Sequence, residues 1–126
     1  MTDLGPLEIA QFSGPGYRGC RLTGEIDFTS TGPLQATLNA MILPGGGSVV
    51  VDLSGVDFID SSGLGALVQA NRIANDRDTR LVLVPSPAVR RLLRVTALDT
   101  VLETAADLAA AEAAAAERVP GGSATT

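Results

Sequence analysis

VVVDLSGVDFIDSSGLGALV, residues 49–68, is the stretch on which the fold reading turns. Val49, Val50 and Val51 form a β-branched apolar run that Leu53 continues after Asp52, the pattern of a buried strand. Asp52 to Asp60 reads as a polar, glycine-containing turn with Phe58 and Ile59 as a short apolar insert. Asp60-Ser61-Ser62-Gly63 then opens a segment with Leu64, Leu67 and Val68 at helical spacing. Asp and Ser cap helix N-termini because their oxygens accept from unpaired backbone N–H groups. The expectation is strand, loop, then a helix from Ser62 or Gly63 to about Asn75, its first turn displaying two hydroxyls and a carboxylate.

Upstream, Leu7, Ile9 and Gln11 alternate, Ser13-Gly14-Pro15-Gly16 is a turn cluster, and Tyr17 to Thr23 is a second strand. Together they predict an N-terminal β-hairpin. Gly24-Glu25-Ile26-Asp27 closes that strand, and Glu25 and Asp27, two apart, point the same way on an extended backbone. They are read either as part of an acidic site near Ser61 or as ordinary solvated carboxylates. Phe28 to Leu43 is predicted helical, capped by Thr29 or Ser30, with Pro33 in its first turn and an apolar stripe of Leu34, Leu38, Met41 and Ile42. Pro44-Gly45-Gly46-Gly47 ends it.

Downstream, Arg80 to Val84 is a strand and Ser86-Pro87 starts a helix. In that helix Val89, Leu92 and Leu93 face inward and Arg90, Arg91 and Arg94 face out. Thr96 to Leu102 is a turn with a short strand-like piece. Alanine-rich Ala105 to Glu117 is a terminal helix, since alanine has the highest helix propensity. Residues 1–118 are expected to form one domain and 119–126 a disordered C-terminal tail. Alternating helices and strands imply an α/β fold with a small mixed β-sheet, and the Val49 and Arg80 strands run parallel across a helix.

Composition narrows the function. The chain of 126 residues carries net charge −5, which argues against a nucleic-acid surface and against anionic membranes. It has three Phe, one Tyr and no Trp, so the core is aliphatic. One cysteine and no histidine leave no intramolecular disulfide, no zinc set and no serine–histidine triad. No run reaches the ~18 apolar residues of a membrane span, and no secretory signal is visible, so the cytoplasm is the expected compartment.

The central turn offers little catalytic machinery. Asp60, Ser61, Asp57, Glu25 and Asp27 are the polar groups that could gather there, without an activated nucleophile. Gly63-Leu64-Gly65 is too short for a dinucleotide fingerprint, and Gly45-Gly46-Gly47 lacks the Lys and Ser/Thr of a phosphate loop. Phosphorylation fits better. A phosphate at a helix N-terminus meets the positive end of the dipole and can accept from free N–H groups, while adding charge beside Asp57 and Asp60. The alternative is that Ser61 and Ser62 only cap the helix.

The stretch DLSGVDFIDSSGLGALV resembles the STAS domain, and within it the anti-sigma factor antagonists. Leu22 to Asp27 (LTGEID) is similar to that family's LTGELD strand end, and Ser86 to Leu92 followed by Thr96-Ala97-Leu98 to its SPAVKRLF…SGL segment. The resemblance implies a small sheet flanked by helices and a phosphoprotein that regulates transcription, as in stress responses or sporulation, without being an enzyme. By position Ser61 is the acceptor and Ser62 the second choice. The partners implied are an anti-sigma factor serine kinase, to which ATP and Mg²⁺ belong, and a serine phosphatase; this chain itself needs no cofactor or metal. Asp27 and Asp60 match acidic positions near the acceptor. The expected docking surface comprises Glu25, Asp27, Asp57, Asp60, Ser62, Gly63 and Leu64, with Gln69 and Arg72 if they point outward, on a monomer or weak dimer. Phe28-Thr29-Ser30 and the short Pro44 loop depart from the family pattern. Rival readings are a constitutive STAS scaffold in a larger complex, such as a lipid transporter or stress-signalling assembly, and a small-ligand module.

Overall fold

A computed structural model describes residues 6–42 and 46–117. Strand β1 (Glu8–Gly14) turns through Pro15-Gly16 into β2 (Tyr17–Ile26), with Gly16 at φ +81°. That left-handed conformation suits glycine and closes the expected hairpin at the Gly14–Tyr17 pair. Helix α1 (Thr31–Met41), strand β3 (Ser48–Ile59), helix α2 (Ser61–Asp76), strand β4 (Arg80–Pro85), helix α3 (Pro87–Val95), strand β5 (Glu103–Thr104) and helix α4 (Leu108–Ala116) follow. The sheet order is β1-β2-β3-β4-β5; only the β1–β2 pair is antiparallel.

The valine run is buried on both faces, as a central parallel strand requires. Side chains alternate along a strand. Val49, Val51 and Leu53 join Leu34 and Leu38 of α1, Leu67 of α2 and Val89 and Leu93 of α3 in the main core. Val50 faces the other way and meets Val82, Val84, Ala111 and Ala115 in a second, smaller cluster. The alanine helix α4 is thus the lid of the opposite face. Its last-turn carbonyls at Ala114 and Ala115 accept from Arg80 Nη1 at 2.8 Å and Ser48 Oγ at 3.2 Å. Cys20 lies in the main core, where burial and then the Asp52 carboxylate push its thiol up to about 12, so it is an inert packing residue.

Several expectations need correction. Residues 52–59 are not a turn: β3 continues through them, pairing Gly55, Val56, Phe58 and Ile59 with Thr23, Gly24, Glu25 and Ile26 of β2 across two register shifts. Asp52 holds this stretch while buried, accepting from Ser54 N at 2.9 Å, Ser54 Oγ at 2.6 Å and Arg21 Nε at 3.2 Å. Neither Thr29 nor Ser30 caps α1 through its side chain; Asp27 caps a preceding 3-10 turn, Phe28–Ser30. Arg90 is half-buried and donates to Ala105 O at 3.3 Å, whereas Arg91 and Arg94 are exposed as expected. The short last strand follows Leu102 rather than preceding it, and 98–100 form a 3-10 turn. The lead-in 1–5, the loop residues 43–45 and the tail 118–126 lie outside the described residues, as does the domain boundary at 118.

Candidate functional site

The site is built where β2 and β3 end together. Ile26 and Ile59 are register partners, and each is followed by a capping aspartate. Asp60 is extended (φ −103°, ψ −175°) and anchored to β2 by its N–H, which donates to Ile26 O at 3.1 Å. Its Oδ1 accepts from Gly63 N at 3.0 Å and from Ser62 Oγ at 2.6 Å. The Ser62 hydroxyl first, and then backbone N–H groups including those of Gly63 and Phe28, hold the Asp60 carboxyl below its usual range. Asp27 repeats the device. Its Oδ1 accepts from the Thr29 hydroxyl at 2.6 Å and Thr29 N at 2.9 Å, and these bonds lower its pKa while the Asp60 charge opposes them.

Ser61 is the first residue of α2; it is exposed and its hydroxyl makes no hydrogen bond among the described residues. Neither serine caps the helix, because Asp60 does. Ser62 is half-buried with its hydroxyl engaged. Ser61, Gly65, Gln69 and Arg72 form one exposed stripe along α2, four or three residues apart. Asp57 is exposed on β3 and Glu25 is half-buried opposite Phe58.

Two residues assigned to docking are not available for it. Gly63 and Leu64 are buried, on the face of α2 turned toward the sheet. A Cβ on Gly63 would lie 2.7 Å from Ile26 Cγ2 and 2.7 Å from Ile59 Cγ1, so this glycine lets α2 start directly above the paired strand ends. Conversely, Phe28 was not among the candidate docking residues. Its ring is 76% exposed on the 3-10 turn, and Phe58 is 47% exposed. Its signal was its place in the sequence: it falls off the stripe made by Leu34, Leu38 and Met41.

Beside this turn is a cleft of about 300 Å³, with Leu7, Ile9 and Pro33 on its apolar side and Glu25, Asp27 and Thr29 on its polar side. Glu25 and Asp27 therefore do share one space. Among the described residues no three His, Cys, Asp or Glu side chains gather to hold a metal ion, and no helix is long and apolar enough to cross a membrane.

Comparison with known proteins locates the fold. Residues 19–104 match the family model described as Mlab, STAS domain. An anti-sigma-B factor antagonist of Staphylococcus aureus (strain NCTC 8325 / PS 47) is 30% identical over 97 residues, covering 76% of this chain and 90% of the relative. An anti-sigma F factor antagonist of Lysinibacillus sphaericus is 31% identical over 80 residues, 62% of this chain and 68% of the relative. Among solved structures, an anti-sigma factor antagonist from Mycobacterium paratuberculosis superposes with a TM-score of 0.79 at 26% identity, covering 87% of this chain and 94% of the other.

Proposed function

The chain belongs to the STAS domain family, and on that premise we propose that it is an anti-sigma factor antagonist, acting in the cytoplasm and switched at Ser61. Unphosphorylated, it binds an anti-sigma factor and frees a sigma factor. The anti-sigma factor is a serine kinase that transfers the terminal phosphoryl group of ATP to Ser61 Oγ; the bond to ADP breaks and the hydroxyl proton passes to the kinase or solvent. A phosphatase returns the serine by hydrolysis. The chain itself is no enzyme, and ATP and Mg²⁺ are the kinase's.

One observation carries this reading. Of two adjacent serines, Ser61 is exposed with a hydroxyl free of hydrogen bonds among the described residues, while the Ser62 hydroxyl is committed to Asp60. A structural serine would be expected to bond; a modifiable one must be reachable. The geometry also bears on the form of the switch. Asp60 already accepts from Gly63 N at the start of α2, which leaves a phosphate on Ser61 less to gain from the helix terminus. It projects outward, nearly two negative charges beside Asp60 and Asp27, where a docking partner meets them. The fold is left alone and the interface is not.

The test is titration of purified serine-kinase anti-sigma factors with wild type, Ser61→Ala and Ser61→Asp chains, with and without ATP. Ser61→Ala should stay bound whatever the ATP supply, and Ser61→Asp should bind at least about tenfold more weakly. Binding of the Asp variant at wild-type affinity counts against charge as the switch. The family match spans residues 19–104 as a whole and does not single out Ser61. A second reading therefore stands beside the first: a constitutive scaffold in a larger complex, with Ser61 unmodified. Intact mass of the chain from its native cell, with fragmentation to place any phosphate, separates the two.

A further inference from the structure

Phe28 has no part in holding the fold together. Its ring is 76% exposed and lies outside both core clusters, on a turn whose backbone is unusually well tied. Asp27 N donates to Ser30 Oγ at 2.9 Å, Thr29 N to Asp27 Oδ1 at 2.9 Å, and Ser30 N to Asp27 O at 3.0 Å. A large apolar side chain is thus presented to water from a rigid platform. Exposing it gains nothing for the monomer, whereas a preorganised aromatic has little freedom left to lose on binding.

Its surroundings specify what could cover it. Asp27 precedes it, Asp60 faces its backbone N–H, and Glu25 and Asp27 line the adjoining cleft, which has no basic side chain in its walls among the described residues. An acidic protein or an anionic lipid surface would be repelled here. We infer that Phe28 is the residue that anchors the partner at this end of the molecule, inserting into an apolar pocket on a protein face rimmed by arginine or lysine. The inference rests on the proposed function and names the contact chemistry of its docking surface. An apolar centre with a charged rim is the common anatomy of such contacts. It also ties specificity to the switch. Asp60, the residue before Ser61, is held ionised in part by the Phe28 backbone N–H, so a phosphate on Ser61 brings its charge to the same end of the molecule as the anchor.

The test titrates the purified serine-kinase anti-sigma factors of the cell that makes this chain, without ATP. The variants are Ser61→Asp, Phe28→Ala, Val95→Ser and the double variant Glu25→Gln with Asp57→Asn. Val95 is as exposed as Phe28, at 77%, but ends α3, the helix that follows β4, and lies outside the turn and cleft described above. A shared urea midpoint for Phe28→Ala and wild type shows that its fold is intact. The result expected is at least about 30-fold weaker binding by Phe28→Ala, a Val95→Ser affinity within about twofold of wild type, and a shallower salt dependence for the double variant. If a kinase binds wild type and rejects Ser61→Asp but binds Phe28→Ala as well as wild type, the anchor is overturned and the proposed function stands. If binding is indifferent to salt in wild type and double variant alike, the basic rim is overturned. If no such kinase binds wild type, the proposed function itself fails and the anchor with it.

Discussion

Asp27 and Asp60 oppose each other electrostatically at the paired ends of β2 and β3, yet local donors hold both carboxylates ionised. The Thr29 hydroxyl dominates for Asp27 and the Ser62 hydroxyl for Asp60. A carboxyl whose folded pKa lies below its ordinary 3.8 binds its proton more weakly folded than unfolded. Its contribution to stability is therefore complete above that value and is lost as the pH falls through the lower folded value. The urea midpoint should be level near neutrality and decline below about pH 4. Asp60→Asn keeps a capping oxygen but removes the charge, so its decline should be shallower than wild type. An Asp60→Asn profile parallel to wild type would show that Asp60 contributes nothing to the acid limb.

The two serines should separate in stability as they do in geometry. Ser61→Ala removes a hydroxyl with no internal partner among the described residues and should stay within about 0.5 kcal/mol of wild type. Ser62→Ala removes a 2.6 Å bond to an ionised carboxylate and should cost about 1 kcal/mol. Chemical denaturation of both variants checks this. A larger loss for Ser61→Ala would mean that its hydroxyl supports the turn and would weaken its assignment as a free acceptor.

Sequence patterning reached most of the fold because its signals were local and mutually consistent. Ser86-Pro87 starts α3 with the Ser86 side chain accepting from Val89 N at 3.2 Å, and the Leu34, Leu38, Met41 and Ile42 stripe is buried as spaced. Residues 52–59 misled because Asp52, Ser54, Gly55 and Asp57 are turn formers, and only pairing with β2, more than 30 residues away, makes them strand. At the site, the capped turn that opens α2 was legible, but a motif does not say which way its residues face. The helical period does: it sets Ser61, Gly65, Gln69 and Arg72 on one side, and Gly63, Leu67, Ala70 and Ala74 on the other. Phe28 escaped because an aromatic in a helical stretch is more often core.

Tyr17 offers a direct view of α4. It is the only tyrosine in a chain without tryptophan, and its hydroxyl donates to Glu112 Oε2 at 2.8 Å. That bond, then burial and the Glu112 charge, raise its pKa above the ordinary 10.0. Ultraviolet titration of the folded chain should give a midpoint above 10, moving down toward it in Glu112→Gln. Since the folded pKa is the higher one, the linked stability is complete below 10 and is lost as the pH rises through the folded value. An unchanged midpoint in Glu112→Gln would mean that α4 does not dock through this bond in solution.

Gly63 is where packing and site meet, so Gly63→Ala tests whether they are coupled. Added to a helix in the abstract, the methyl would be favourable, by up to about 1 kcal/mol. Here it would lie 2.7 Å from Ile26 Cγ2 and from Ile59 Cγ1, the side chains of the two residues that precede the capping aspartates. Overpacking of this kind costs about 1–3 kcal/mol, so the clash should win and the urea midpoint should fall. If the isoleucines do not give way, α2 lifts from the strand ends. That would lengthen the bonds that bring Gly63 N and the Ser62 hydroxyl to Asp60. The amide resonances of Ser61, Ser62 and Gly63 should then shift and exchange faster with solvent, while those of α4 on the opposite face stay put. Gly63→Ala as stable as wild type, with an unchanged Ser61 amide, would show that the contact relaxes within the two isoleucines and that the acceptor turn is independent of the core beneath it.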